Sequence, residues 1–198
     1  MARRSDHSRE ELKNIALNAA QTIIKTKGIN SLSVRNVTKK IGYTVGTLYQ
    51  LFNNLDDLIL HVNALTLDEL TQKLSLALNT PNPIQSMATC YLEYYRTHFN
   101  QWNALFVHRL PENQSFPDWY EKKIITIFNI IETAVKKEVP TLTTKSINRT
   151  TRILWAGLHG ICTLSISGKL KPTKSESEEI LIQNFIKNYL SGLKAPSN

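Results

Sequence analysis

Long apolar runs are missing from this chain. No segment approaches the roughly 20 apolar residues that cross a bilayer, and Met1-Ala2-Arg3-Arg4 leads into polar residues rather than an apolar leader. Neither a membrane span nor a secretory leader is expected, and the expected location is cytoplasmic. Cysteine is equally scarce. Cys90 and Cys162 are the only two, and they form no C-x-x-C or C-x-x-H pair, so a disulfide framework and a structural zinc site are excluded as the basis of the fold. Two reduced, buried thiols are expected instead, with a single Cys90–Cys162 disulfide left as an unsupported alternative. Strand signals are missing too: nowhere does strict alternation combine with β-branched residues and hairpin turns. At 198 residues the chain is long enough to bury a real apolar core without a staple.

Acidic residues are outnumbered, 16 Asp and Glu against 24 Lys and Arg, for a net charge of +8. The excess is uneven. Residues 1–55 carry nine basic side chains (Arg3, Arg4, Arg9, Lys13, Lys25, Lys27, Arg35, Lys39, Lys40) and three acidic ones (Asp6, Glu10, Glu11). A basic face of this kind attracts polyphosphate backbones, but a solvated lysine surface and a weak membrane-surface patch share the same charge. Charge alone leaves these three open.

What is present throughout is helical periodicity, and the fold class expected is all-α. Ser8 reads as the N-cap of a first helix ending at Gly28, with Leu12, Ile15, Ala16, Ala19, Ile23 and Ile24 as its apolar stripe. Ser33 caps a short helix carrying Val34, Val37 and Ile41, which closes at Gly42, and Thr44 caps a second short helix with Leu48, Leu51 and Phe52 inward. Two short helices joined through Gly42-Tyr43 make a helix-turn-helix, whose second helix enters a major groove. Further helices are expected at 55–79, 84–100, 102–110, 117–138, 144–167 and 176–193. The expected division is a DNA-binding domain over 1–55 and a second helical domain over 56–198.

The residues Ala19-Ala20, Gly28, Leu32-Ser33-Val34, Val37, Ile41-Gly42, Gly46-Thr47-Leu48-Tyr49, Phe52 and Leu58 resemble the N-terminal domain of the TetR family of bacterial transcriptional regulators. The resemblance spans residues 12–58 without a gap. Trp155-Ala156-Gly157-Leu158-His159-Gly160 is similar to the Trp-His-Gly motif of one subgroup's C-terminal domains. Three positions depart from the family pattern: Thr38 stands where Ala is usual, Tyr43 where Val is usual, and Leu55 where a phosphate-touching lysine is common.

The resemblance implies a homodimer on a pseudo-palindromic double-stranded DNA operator, released by a small, largely apolar effector. It assigns Thr44, Val45, Gly46 and Thr47 to the major groove and Tyr49 to the DNA backbone with its hydroxyl on a phosphate, with Gln50 as a further DNA-binding candidate on the same helix. Ser33 and Arg35 become candidate phosphate contacts, and Arg3 or Arg4 a candidate minor-groove arm. Each of these also has a plainer reading as a cap or a surface residue. No catalytic residues, cofactor or metal are expected. His159 and Cys162 share a helix face, but no set of ligands stands at a known zinc spacing.

Met87, Tyr91, Tyr95 and His98 lie at helical spacing, and Trp119, Phe128, Trp155 and His159 add aromatic side chains with polar tips. Such a stripe suits either a core or a mostly apolar ligand pocket with a few polar groups. The last helix carries two apolar stripes, Leu181 with Phe185, and Ile182 with Ile186, Tyr189, Leu190 and Leu193. One can serve the chain's own core, and a second calls for another subunit. Ala156, Gly160 and Thr163, with Ile182, Ile186 and Tyr189, are the candidate interface residues; which stripe faces the partner is open. The alternative function is a helical small-molecule binding protein or enzyme without operator recognition, and a nonspecific DNA-associated protein is a further rival.

Overall fold

In the computed structural model, which describes residues 7–170 and 176–194, every described regular element is helical. Helix α1 (Arg9–Lys27) starts on a capping box: the Ser8 hydroxyl accepts from the Glu11 amide at 3.2 Å, and the Glu11 carboxylate accepts from the Ser8 amide at 2.7 Å. The Ser8 amide, and after it the Ser8 hydroxyl, hold the Glu11 carboxyl below its usual range by hydrogen bonding to it. A single 3-10 turn, Ile29–Ser31, follows and leads to α2 (Val34–Ile41) and α3 (Val45–Tyr49). Ser33 and Thr44 are the N-caps of α2 and α3, accepting from the amides of Asn36 and Thr47. Gly42 ends α2 in the left-handed region at φ 76°, where a side chain would be strained.

The remaining elements are α4 (Leu55–Ala77), α5 (Pro83–Thr97), α6 (Phe99–Val107), α7 (Asp118–Glu138), α8 (Thr144–Ile166) and α9 (Glu178–Lys194). The helix expected over 84–100 stops at Thr97. His98 adopts a non-helical conformation and becomes the residue before α6, so it leaves the stripe on which the sequence placed it.

Two compact units emerge, and they do not follow a division near residue 55. Of the described residues, the first comprises those up to Asp68 together with His98–Lys123, and the second Glu69–Thr97 with those from Ile124 onward. The change-over falls inside α4 and again inside α7. In the first unit, α6 is joined to the helix-turn-helix body by side-chain amides. Asn100 donates to the Lys25 carbonyl at 2.9 Å, and buried Asn63 of α4 donates to the Ala104 carbonyl at 3.3 Å. Val37, Leu48, Phe52, Leu58, Val62 and Ala104 share its core.

In the second unit, α5 and α8 pack with α9. Gly157 of α8 is a point of close approach to α9, because a Cβ there would sit 2.3 Å from the Phe185 ring. Arg96 of α5 forms ion pairs with Glu178 and Glu179 at the start of α9, and the Glu138 carboxylate accepts from the Ile84 amide at the start of α5.

Candidate functional site

The surface of α3 follows from its caps. Thr44 accepts from the Thr47 amide at 3.2 Å, and its hydroxyl lies 2.9 Å from that of Thr47. Leu48 is thereby turned into the core, leaving Val45 (40% exposed), Gly46 and Tyr49 (52% exposed) facing outward with Thr44 and Gln50. Apolar surface so exposed on a five-residue helix contributes nothing to the core. Gly46 stands out among these residues: a Cβ there would meet nothing closer than Thr44 Oγ1 at 3.8 Å. Arg35 is exposed on α2, with Ser33 half-buried as its cap. The candidate DNA residues Ser33, Arg35, Thr44, Val45, Gly46, Thr47, Tyr49 and Gln50 thus lie on two adjoining helices. Arg3 and Arg4 lie outside the described residues.

The three departures from the family pattern acquire local reasons. Thr38 is buried, and its hydroxyl donates to the Arg35 carbonyl at 3.1 Å. Leu55 packs on the first unit's core, where a lysine would have to carry its charge out to solvent. Tyr43 has its hydroxyl 2.9 Å from His7 Nδ1.

A polar array under the helix-turn-helix was not visible in the sequence. Lys13 of α1 donates to His61 Nε2 at 3.0 Å, and since an ammonium only donates, His61 Nδ1 carries the proton that reaches the Asp57 carbonyl at 2.8 Å. Trp119 packs on His61 with ring centroids 4.6 Å apart, and Phe52 meets the same imidazole edge-on at 5.4 Å. Asp57 and His61 stand one helical turn apart on α4, but only the meeting of α1, α4 and α7 brings Lys13 and Trp119 to them.

The aromatic candidates divide between the units. Trp119 and His98 belong to the first, and the second gathers Tyr91, Phe128, Trp155 and His159. The Tyr91 hydroxyl is 2.9 Å from His159 Nδ1. His159 stacks on Trp155 at 5.5 Å, and Phe128 meets Trp155 edge-on at 5.6 Å. Burial lowers the His159 pKa, favouring a neutral ring that can accept as well as donate. Met87 and Tyr95 are buried on α5. Burial also raises the Tyr95 pKa and pushes the Cys162 thiol up to about 12.

The interface candidates separate as well. Ala156 and Thr163 are exposed and Gly160 half-exposed on α8, with open space where a Gly160 Cβ would be. Ile182 and Ile186, by contrast, are 2% and 5% exposed within the single chain. They belong to its own core and have no surface left for a partner, a correction to their expected place. Tyr189 is half-buried beside Phe185.

Residues 16–62 match the family described as bacterial regulatory proteins of the tetR family, and residues 84–185 the tetracyclin repressor-like C-terminal domain. The chain belongs to the TetR family. Solved structures agree on the fold. A protein with unknown function from Rhodococcus sp. RHA1 superposes with a TM-score of 0.75 at 15% identity, covering 96% of this chain and 98% of that one. The multidrug binding protein EbrR, complexed with imidazole, gives 0.65 at 20% identity over 100% and 99% of the two chains. A TetR-family transcriptional regulator from Bordetella parapertussis 12822 gives 0.61 at 16% identity over 96% and 100%. No curated protein matches the chain. TetR-family regulators bind DNA and small-molecule ligands and act as dimers. Among the described residues, no helix is long and apolar enough to cross a membrane.

Proposed function

We propose that this TetR-family chain is a ligand-responsive repressor that binds a pseudo-palindromic operator as a homodimer and leaves it when a small, largely apolar effector binds. Gly46 carries the DNA part of the reading. It sits inside a helix, where glycine costs about 1 kcal/mol relative to alanine, and the chain itself has room for a Cβ at that position. The advantage of a bare backbone therefore lies in what comes against α3 from outside. A base edge or phosphate approaching between Val45 and Thr47 supplies that reason.

The effector part rests on the Tyr91–His159–Trp155–Phe128 cluster, which joins flat apolar faces to two polar tips able to orient a ligand. The dimer part rests on Ala156, Gly160 and Thr163, flanked by Ile153 and Leu164, which are 39% and 43% exposed. An effector releases DNA only to the extent that it prefers the non-binding state, and operator DNA then weakens effector binding by the same factor.

The experiment is a paired measurement on Gly46→Ala. Its thermal midpoint should equal or exceed that of the unmodified protein, while its affinity for duplex DNA from upstream of its own gene should fall tenfold or more, about 1.4 kcal/mol. An affinity unchanged by the extra methyl would refute the docking of α3.

A further inference from the structure

We infer that α3 reads its half-site through thymine: Val45 closes over the C5-methyl of a T·A pair, and the base pairs that α3 selects are A·T rather than G·C. This deepens the DNA-binding reading above and rests on it.

The chemistry available on α3 is narrow. From Thr44 to Gln50 the helix and its two caps contain no Lys, Arg, Asp or Glu. In the major groove a guanine presents the O6 and N7 acceptors, which Arg or Lys complements, and a cytosine presents the N4 donor, which Asp or Glu complements. Neither complement stands on this helix. The exposed cations Arg35, Lys39 and Lys40 belong to α2, the helix that crosses the phosphate backbone in a helix-turn-helix. The threonine hydroxyls are partly committed as well. Thr44 Oγ1 accepts from the Thr47 amide at 3.2 Å and lies 2.9 Å from Thr47 Oγ1, so one of the two hydroxyl protons is used within the cap.

Tyr49 aside, whose hydroxyl is assigned to a phosphate, the outward face then offers Val45, the bare backbone at Gly46 and the Gln50 amide. Val45 is 40% exposed, and valine is a poorer helix former than alanine. The chain's own fold gains little from that side chain, just as it gains nothing from the glycine that follows. The thymine C5-methyl is the apolar group that a base-pair edge presents in the major groove. A branched apolar side chain beside bare backbone can close over such a methyl and exclude water from it. Against a guanine or cytosine edge, Val45 would instead strip water from hydrogen-bonding groups without replacing it. Gln50, exposed at the C-cap, carries the planar amide that pairs with the N6 and N7 of an adenine. Both groups able to discriminate between base pairs therefore favour A·T.

The test uses the full chain and duplex DNA from upstream of its own gene. Each thymine in the half-site that the protein protects from nuclease cleavage is replaced in turn by uracil, which deletes the C5-methyl and leaves base pairing unchanged. Burying one methyl corresponds to about fourfold in affinity, and at least one position should show that loss. Val45→Ala should weaken binding to the unmodified duplex by a similar factor and should make uracil at that position silent, the coupling expected of two groups in contact. Its thermal midpoint should hold or rise, because alanine favours the helix. Val45→Thr keeps the side-chain shape, exchanges one methyl for a hydroxyl, and should lessen the uracil effect with the fold intact.

If no thymine of the half-site responds to uracil, or if Val45→Ala responds as strongly as the unmodified chain, the thymine reading is overturned. A retained preference for the upstream duplex over bulk DNA would then leave the DNA-binding reading standing. Absence of that preference in the unmodified chain would overturn both.

Discussion

Gly157 and Gly160 stand three residues apart on α8, yet they answer to different surfaces. Beneath Gly157 is the Phe185 ring, which leaves no room for a Cβ, so Gly157→Ala forces a ring or a helix to move. The expected cost is about 1–3 kcal/mol, read as a lower urea midpoint at unchanged slope. Gly160 meets nothing of its own chain, and its smallness matters to the chain's fold only through helix propensity. His159, between them, makes stability depend on pH. Its folded pKa lies below the usual 6.5, so on acidification the unfolded chain takes up a proton that the folded one resists. Its contribution is complete above about pH 6.5 and is lost as the pH falls through the folded value. Urea midpoints compared at about pH 7.5 and about pH 5 should fall for the unmodified protein and fall less for His159→Gln. Cys162, buried with its thiol pushed up to about 12, should resist thiol reagents until the protein unfolds, whereas half-exposed Cys90 should react first.

At the scale of elements, the caps carry the helix-turn-helix. Ser33→Ala removes the acceptor for the Asn36 amide and should lower stability by about 1 kcal/mol, seen as a lower thermal midpoint. Thr44→Ala should cost a similar amount and should weaken DNA binding in addition. These caps were legible in the sequence, because a hydroxyl before an apolar run and a glycine after it state a helix's limits locally. Ser8, Ser33, Thr44 and Gly42 all occupy the expected places. The break at His98 was not legible: no proline or glycine marks it, and the aromatic periodicity runs straight through. Nor was the facing of α9 legible. Its two stripes are equally apolar, and only the packing of the folded chain buries Ile182 and Ile186. The His61 array was hidden as well, since Lys13 and Trp119 reach it through packing rather than spacing.

For the whole molecule, the compact units cut across the division that motif reasoning suggested. The family match over 16–62 marks a sequence pattern, whereas packing also draws α6 and the start of α7 into the same body. Helices α4 and α7 each contribute residues to both units. Of α7, Trp119 packs on His61 within the first unit and Phe128 on Trp155 within the second. Homodimerisation belongs to this scale. Gly160→Arg introduces a charge where the single chain has open space, so the fold should survive. Sedimentation equilibrium should then give the 22.6 kDa of one chain where the unmodified protein gives twice that mass, and operator affinity should fall with loss of the second half-site.

The most direct measurement is a competition titration of the full chain on duplex DNA from upstream of its own gene against bulk DNA, at a fixed salt concentration of about 0.15 M. A specific regulator should prefer the upstream duplex by about a thousandfold or more. Equal affinity for both duplexes would contradict operator recognition by α3.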